Sequence, residues 1–137
     1  VLKDLYKQDV FALSRWRNAH RPPGACGPAG VVIPERVIEK PPSAELRPDQ
    51  TDQDSLPPYD ALDAVIRGWV EESLPLEAIA ASSGMPLGDV RALVRSIDRM
   101  EFKRKQAPPI LKLSRRAFGR GRAMPLAGTW KLDPTEA

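Results

Sequence analysis

Apolar residues fall at three-to-four-residue steps over the first eighteen positions, where Leu2, Leu5, Tyr6, Leu13 and Trp16 recur with Asp9 interrupting. That spacing predicts a helix over residues 1–19, running to about Asn18, with Lys3, Lys7, Arg15 and Arg17 on its opposite face. HRPPGACGPAG follows and holds the strong helix and strand breakers, so residues 20–31 read as a surface loop. VVIPERVIEK offers at most one short strand near Val31 to Ile33 and, from Pro34, a turn or two of helix opened by proline. Periodicity is lost from Lys40 to Pro58, a long, acidic, proline-containing loop. It returns in PPYDALDAVIRGWVEES, where Leu62, Val65, Ile66, Trp69 and Val70 share one helical face. LPLEAIAASSG reads as a shorter helix ending at Gly84. MPLGDVRALVRSIDRMEFKRKQ reads as a longer one, with Val90, Leu93, Val94, Ile97 and Met100 inward and Pro108 and Pro109 beyond its end. Residues 58–106 are thus helical, and residues 107–137 form a basic, extended tail.

Composition narrows the class. A chain of 137 residues has the size of one domain, yet it opens on a helical pattern with no initiating Met and no cap, so it is expected to be a piece of a larger one. Fifteen Pro against three Phe, three Trp and two Tyr suggests a few helices joined by long irregular connections. Cys26 has no partner cysteine for a disulfide, and no Cys/His cluster has metal-ligand spacing, so zinc is not expected and a reducing cytoplasm is the simplest compartment. No apolar run approaches the roughly 20 residues that span a bilayer, so no membrane partner is expected. Net charge is +3 with a pI near 9.2, but acids crowd Glu39 to Glu72 and bases crowd Lys103 to Arg122, which suits an anionic partner for the basic stretch.

Taken alone, KPPSAELRPDQTDQDSLPPYD, residues 40–60, is a hydrophilic linker. As a string, however, it resembles the loop after the nucleotide site of glutamine-dependent NAD synthetases, where PP(S/T)A(D/E)L leads into an acidic stretch and SLPPYD. The resemblance extends to KDLYK in the first segment, to EFKRKQAPP and to SRRAFGR, and it is weakest at LEAIAASSGMPLGDV. It implies the C-terminal portion of the synthetase domain, whose parent fold is α/β, a Rossmann-like ATP-pyrophosphatase, with this portion mainly α-helical with long loops. The reaction it implies is adenylation of the carboxylate of deamido-NAD by ATP, followed by displacement of AMP by ammonia. Residues 40–58 then become an active-site loop covering ATP. ATP and deamido-NAD are the implied substrates and Mg²⁺ the implied ion, its ligands mostly outside this chain. An N-terminal synthetase part, a glutaminase domain and further copies of the chain are the implied partners.

The resemblance also carries roles to single residues. Lys7 matches the lysine that contacts ATP and is assigned charge stabilisation at the phosphates or adenylate. Ser43 matches the ATP-binding hydroxyl of PP(S/T)A, and Lys103 matches a lysine on deamido-NAD. Ammonia-dependent relatives have His before that lysine, where this chain has Phe102. Glu45, Asp49, Asp52 and Asp54 are candidates to assist Mg²⁺ or to close the site, with Glu45 and Asp49 as candidate loop or phosphate contacts. Arg115 and Arg116 are candidate phosphate contacts, in a basic tail with Arg120 and Arg122 that is expected to lie against neighbouring subunits or domains. His20 and Cys26 receive no catalytic role. The SGGxDS phosphate loop of these enzymes does not occur in the chain, which on its own is therefore not expected to complete the reaction.

Two other classes fit some of the same residues. LPLEAIAASSGMPLGDVRALVRSIDRMEFKRK has the outline of a helix-turn-helix, although Gly88 and Asp89 occupy the positions that would face base edges. A structural or dimerisation segment anchored by Trp16, Trp69 and Trp130 is the other.

Overall fold

The computed structural model describes residues 2–42, 51–54, 56–106, 108–117 and 121–122. In chain order they form α1 (Lys7–Ala19), α2 (Glu35–Glu39), a 3₁₀ turn (Asp52–Asp54), α3 (Tyr59–Ile66), a π-helical segment (Arg67–Glu72), α4 (Leu76–Ser83), α5 (Leu87–Arg99) and α6 (Glu101–Lys105). The portion is mainly helical, and no strand occurs among the described residues. None of their helices is long and apolar enough to cross a membrane. Two compact units result: residues 2–5 with the described residues from Ala61 onward, and Tyr6–Asp60.

The first unit holds the apolar core. Val65, Ile79, Val90 and Val94 are fully buried, with Trp69, Leu74, Leu76, Ala80, Met85 and Leu93 packed around them. Burying such a side chain contributes about 1.5–3 kcal/mol, so this cluster is the main source of stability in the unit. α4 and α5 form a helical hairpin around it. Pro75 and Pro86 precede the two helices with φ near the value that opens a first turn, −65° and −56°. Gly84 ends α4 at φ +69°, a left-handed position that glycine takes without a Cβ clash. Gly68, in the π-helical segment, lies close against Ile79, where a Cβ would meet Cγ1 at 3.0 Å.

Three sequence expectations change. The helix begins at Lys7 rather than at the first residues, because Asp4 is buried and its carboxylate takes the N–H groups of Leu113 (2.6 Å) and Ser114 (2.7 Å). The apolar run Val31 to Ile33 is not a strand. Asn18 holds it instead, its Oδ1 accepting from the N–H of Val32 and of Ile33 at 3.0 Å each while its Nδ2 donates to the Ile33 carbonyl at 2.7 Å. The long last helix is two, α5 and α6, broken at Met100, which turns outward rather than into the core.

In the second unit no residue of α1 is buried, and Leu13 and Trp16 of its apolar face are 44 % and 46 % exposed. Among the described residues of this unit, Ile38 of α2 is a buried hydrophobic residue. The Arg15–Glu35 ion pair, 3.3 Å, is exposed at both ends and adds little.

Candidate functional site

Lys7 opens α1, and the helix geometry that follows decides what surrounds it. Phe11 lies one turn further on, at the i+4 spacing that stacks side chains on one helical face. The Lys7 Nζ stands 5.8 Å from the centroid of the Phe11 ring and 5.8 Å from that of Tyr59. The two rings meet edge-on, with centroids 6.3 Å apart and planes at 65°. Tyr59 begins α3, and its hydroxyl donates to Oδ2 of Asp52 at 2.7 Å. The Asp52 N–H donates to the Pro42 carbonyl at 2.9 Å, so these two residues lie side by side. Ser43, Glu45 and Asp49 lie outside the described residues, as does Arg120.

The other basic candidates belong to the first unit. α6 is a little over one turn long, and its residues divide by exposure: Glu101 and Arg104 are buried, whereas Phe102, Lys103 and Lys105 are exposed. Arg104 donates to Oε2 of Glu101 through Nε at 2.8 Å and through its terminal NH₂. Glu101 Oε1 has no hydrogen-bond partner among the described residues. Lys3 adds a donor to the Arg104 carbonyl at 3.0 Å, and burial, followed by repulsion from Arg104, lowers its pKa from the usual 10.5. Lys103 is thus carried on a turn that a buried ion pair anchors from the opposite side.

In the basic tail, the Arg116 guanidinium donates to the Ser73 hydroxyl at 2.6 Å, while Arg115 is exposed and gives its backbone N–H to Glu71 at 3.3 Å. Arg122 pairs with Asp98 at 3.1 Å and lies over the Trp69 ring, 4.7 Å from its centroid; Trp69 Nε1 donates to the same Asp98 oxygen. Arg122 thus has partners within its own unit. His20 stacks on Trp16 in an exposed loop, and Cys26 is an exposed free thiol. α4 and α5, the helix-turn-helix outline, turn Ile79, Val90 and Val94 into the core and leave Asp89 exposed in the first turn of α5.

Among the described residues no group of three or more His, Cys, Asp or Glu is placed to hold a metal ion. The two described acids of the loop are engaged otherwise: Asp52 accepts from Tyr59, and Asp54 accepts from the Thr51 N–H at 2.7 Å. These donors do not make a Mg²⁺ site.

The sequence singled out Lys7 as a candidate but not the rings around it. The Lys7–Phe11 spacing was a readable signal, whereas Tyr59 and Asp52 meet only through the fold.

Comparison with known proteins gives a consistent answer. The NAD synthase family model matches residues 1–107. The chain is 46 % identical over 134 residues to the glutamine-dependent NAD(+) synthetase of Rhodobacter capsulatus, covering 95 % of this chain and 23 % of the relative. It is 49 % identical over 125 residues to that of Xanthomonas campestris, covering 91 % of this chain and 21 % of the relative. The solved glutamine-dependent NAD⁺ synthetase of Acinetobacter baumannii, in complex with adenosine diphosphate, superposes with a TM-score of 0.53 at 34 % identity, over 96 % of this chain and 21 % of that one. The chain therefore spans less than a quarter of the length of these relatives. With the family model covering most of its length, the chain belongs to the NAD synthase family.

Proposed function

We propose that the chain is the C-terminal part of the synthetase domain of a glutamine-dependent NAD synthetase. In this reading it serves the ATP-dependent amidation of deamido-NAD within a Rossmann-like ATP-pyrophosphatase domain. The names of the relatives and the ADP bound to the Acinetobacter enzyme support this reading. A carboxylate oxygen of the substrate attacks the α-phosphorus of ATP and pyrophosphate leaves. The nitrogen of ammonia then attacks the activated carbonyl, AMP leaves, and the amide remains. Glutamine as the source of that ammonia, assembly into an oligomer and a cytoplasmic location are parts of the same proposal.

The observation that carries it is the placement of Lys7. A half-buried ammonium rests against two aromatic rings beside the stems of the loop that resembles the family's ATP-covering loop. Such a group stabilises negative charge that grows on the phosphates in the transition state. Ser43, next in sequence to Pro42, supplies the hydroxyl donor to ATP in this reading, and Glu45 and Asp49 belong to the same loop. Lys103, exposed on α6, meets the deamido-NAD phosphates or carboxylate, with Arg115 and Arg116 as further phosphate contacts. Mg²⁺ neutralises pyrophosphate in such chemistry, but the described acids do not form its site, and no step is assigned to it here.

The test is Lys7→Ala in the full-length synthetase, read as deamido-NAD-dependent ATP–pyrophosphate exchange. Loss of about 10²-fold or more in exchange is expected for removal of a charge that stabilises the transition state. Unchanged exchange overturns the role of Lys7.

A further inference from the structure

We propose that Tyr59 is the positioning residue of the nucleotide-handling lysine: its ring, with that of Phe11, orients the Lys7 ammonium, and its hydroxyl ties the returning end of the loop to the same point. The inference rests on the proposed role of Lys7 and gives a role to the tyrosine of the SLPPYD motif.

A lysine carries its charge on a flexible four-carbon stem with many rotamers, so a lysine that must meet a phosphate in one geometry needs something to restrict it. A carboxylate partner would restrict it but would also compensate its charge and compete with the phosphate for the ammonium protons. An aromatic face restricts it through the ring quadrupole and leaves the positive charge and its N–H donors available. The structure has the second arrangement: Nζ lies 5.8 Å from each of two ring centroids, and among the described residues no carboxylate pairs with Lys7. Phe11 is placed by helix geometry alone, being one turn from Lys7 on α1. Tyr59 arrives from the start of α3 and brings the loop with it. From its hydroxyl the contacts run to Asp52 Oδ2 at 2.7 Å and from the Asp52 N–H to the Pro42 carbonyl at 2.9 Å. One side chain therefore joins the lysine to Asp52, whose backbone in turn is held at Pro42.

The experiment is a double-mutant cycle in the full-length synthetase, reading kcat/KM for ATP in deamido-NAD-dependent ATP–pyrophosphate exchange. Tyr59→Leu is expected to lower this value about tenfold while leaving KM for deamido-NAD in place, and to cost less than about twofold once Lys7 is already Ala, because residues acting through one another do not add. Tyr59→Phe keeps the ring and loses the hydroxyl that meets Asp52, so it restores activity to within about threefold of the parent, its remaining defect lying in KM for ATP. A loss from Tyr59→Leu that is as large without Lys7 as with it shows a merely structural tyrosine and overturns the inference. So does the absence of any loss. If Lys7→Ala itself leaves exchange intact, the role of Lys7 fails; if Lys7→Ala abolishes exchange and Tyr59→Leu does not lower it, the inference alone fails. Should the leucine variant not fold, Tyr59→Met, which fills the volume without a π face, takes its place in the same cycle.

Discussion

Asp4 is only 5 % exposed, and its carboxylate accepts from the backbone N–H groups of Leu113 and Ser114 and, at 3.0 Å, from the Ser114 hydroxyl. A charged acceptor serving several donors is worth more than a neutral one, and losing it leaves the donors poorly solvated. Asp4→Ala is therefore expected to cost about 2–4 kcal/mol locally. The measurement is amide hydrogen exchange at Leu113 and Ser114, which should accelerate strongly in Asp4→Ala and less in Asp4→Asn, where one carbonyl acceptor survives. Exchange unchanged at both amides would show that Asp4 is not the anchor. At this scale the sequence was only partly legible. Asp4 was not singled out, because a pattern of apolar residues says nothing about a distant backbone N–H that needs an acceptor. Asn18 is a similar case: it sits at the end of α1 and fastens Val32 and Ile33 through both ends of its amide, which cancels the strand their apolar side chains suggest. Lys7 was named through resemblance; Phe11 was not named although it lies at the i+4 spacing, and Tyr59 could not be, since its approach to Lys7 exists only after folding.

Elements that bury a continuous stripe were readable, and those decided by a local hydrogen bond or ion pair were not. α3, α4 and α5 each turn apolar residues of the predicted faces into the core, Val65, Ile79 and Val90 with Val94, all fully buried. The break between α5 and α6 escaped because neither Gly nor Pro marks it. The chain turns at Met100 and restarts with Glu101, whose carboxylate then holds Arg104 on the next turn. A pair this deeply buried gains little over an apolar pair of the same volume, but removal of one partner is costly. Glu101→Ala is expected to destabilise the first unit by about 3 kcal/mol, while Glu101→Leu combined with Arg104→Met recovers most of the loss. Urea unfolding followed by tryptophan fluorescence measures both, and a double variant as unstable as the single one would show that the charges, and not the volume, hold α6. Because Lys103 rides on this turn, the single variant is also expected to weaken whatever Lys103 binds.

The proposed ligand contacts fall in separate units of the chain: Lys7, with Phe11 and Tyr59, in Tyr6–Asp60, and Lys103 in the part from Ala61 onward. Each is supported by its own local device, two aromatic rings for Lys7 and a buried ion pair behind Lys103, and among the described residues these two devices share no member. Supports that share no residue lead to independent energetic effects, so substitutions in the two units should act on different substrates. In the full-length synthetase, Lys103→Ala is expected to raise KM for deamido-NAD by about tenfold to a hundredfold, the usual worth of a hydrogen bond to a charged group, with KM for ATP unchanged. Lys7→Ala should leave KM for deamido-NAD near its parent value and lower the adenylation rate. The double variant should combine the two losses to within about 0.5 kcal/mol, as independent sites do. Steady-state kinetics with each substrate varied in turn at saturating levels of the other decides the matter. A Lys103 variant that changes both KM values alike, or a double variant far from additive, would mean that the two units act on a single ligand and that the division of labour proposed for Lys7 and Lys103 is wrong.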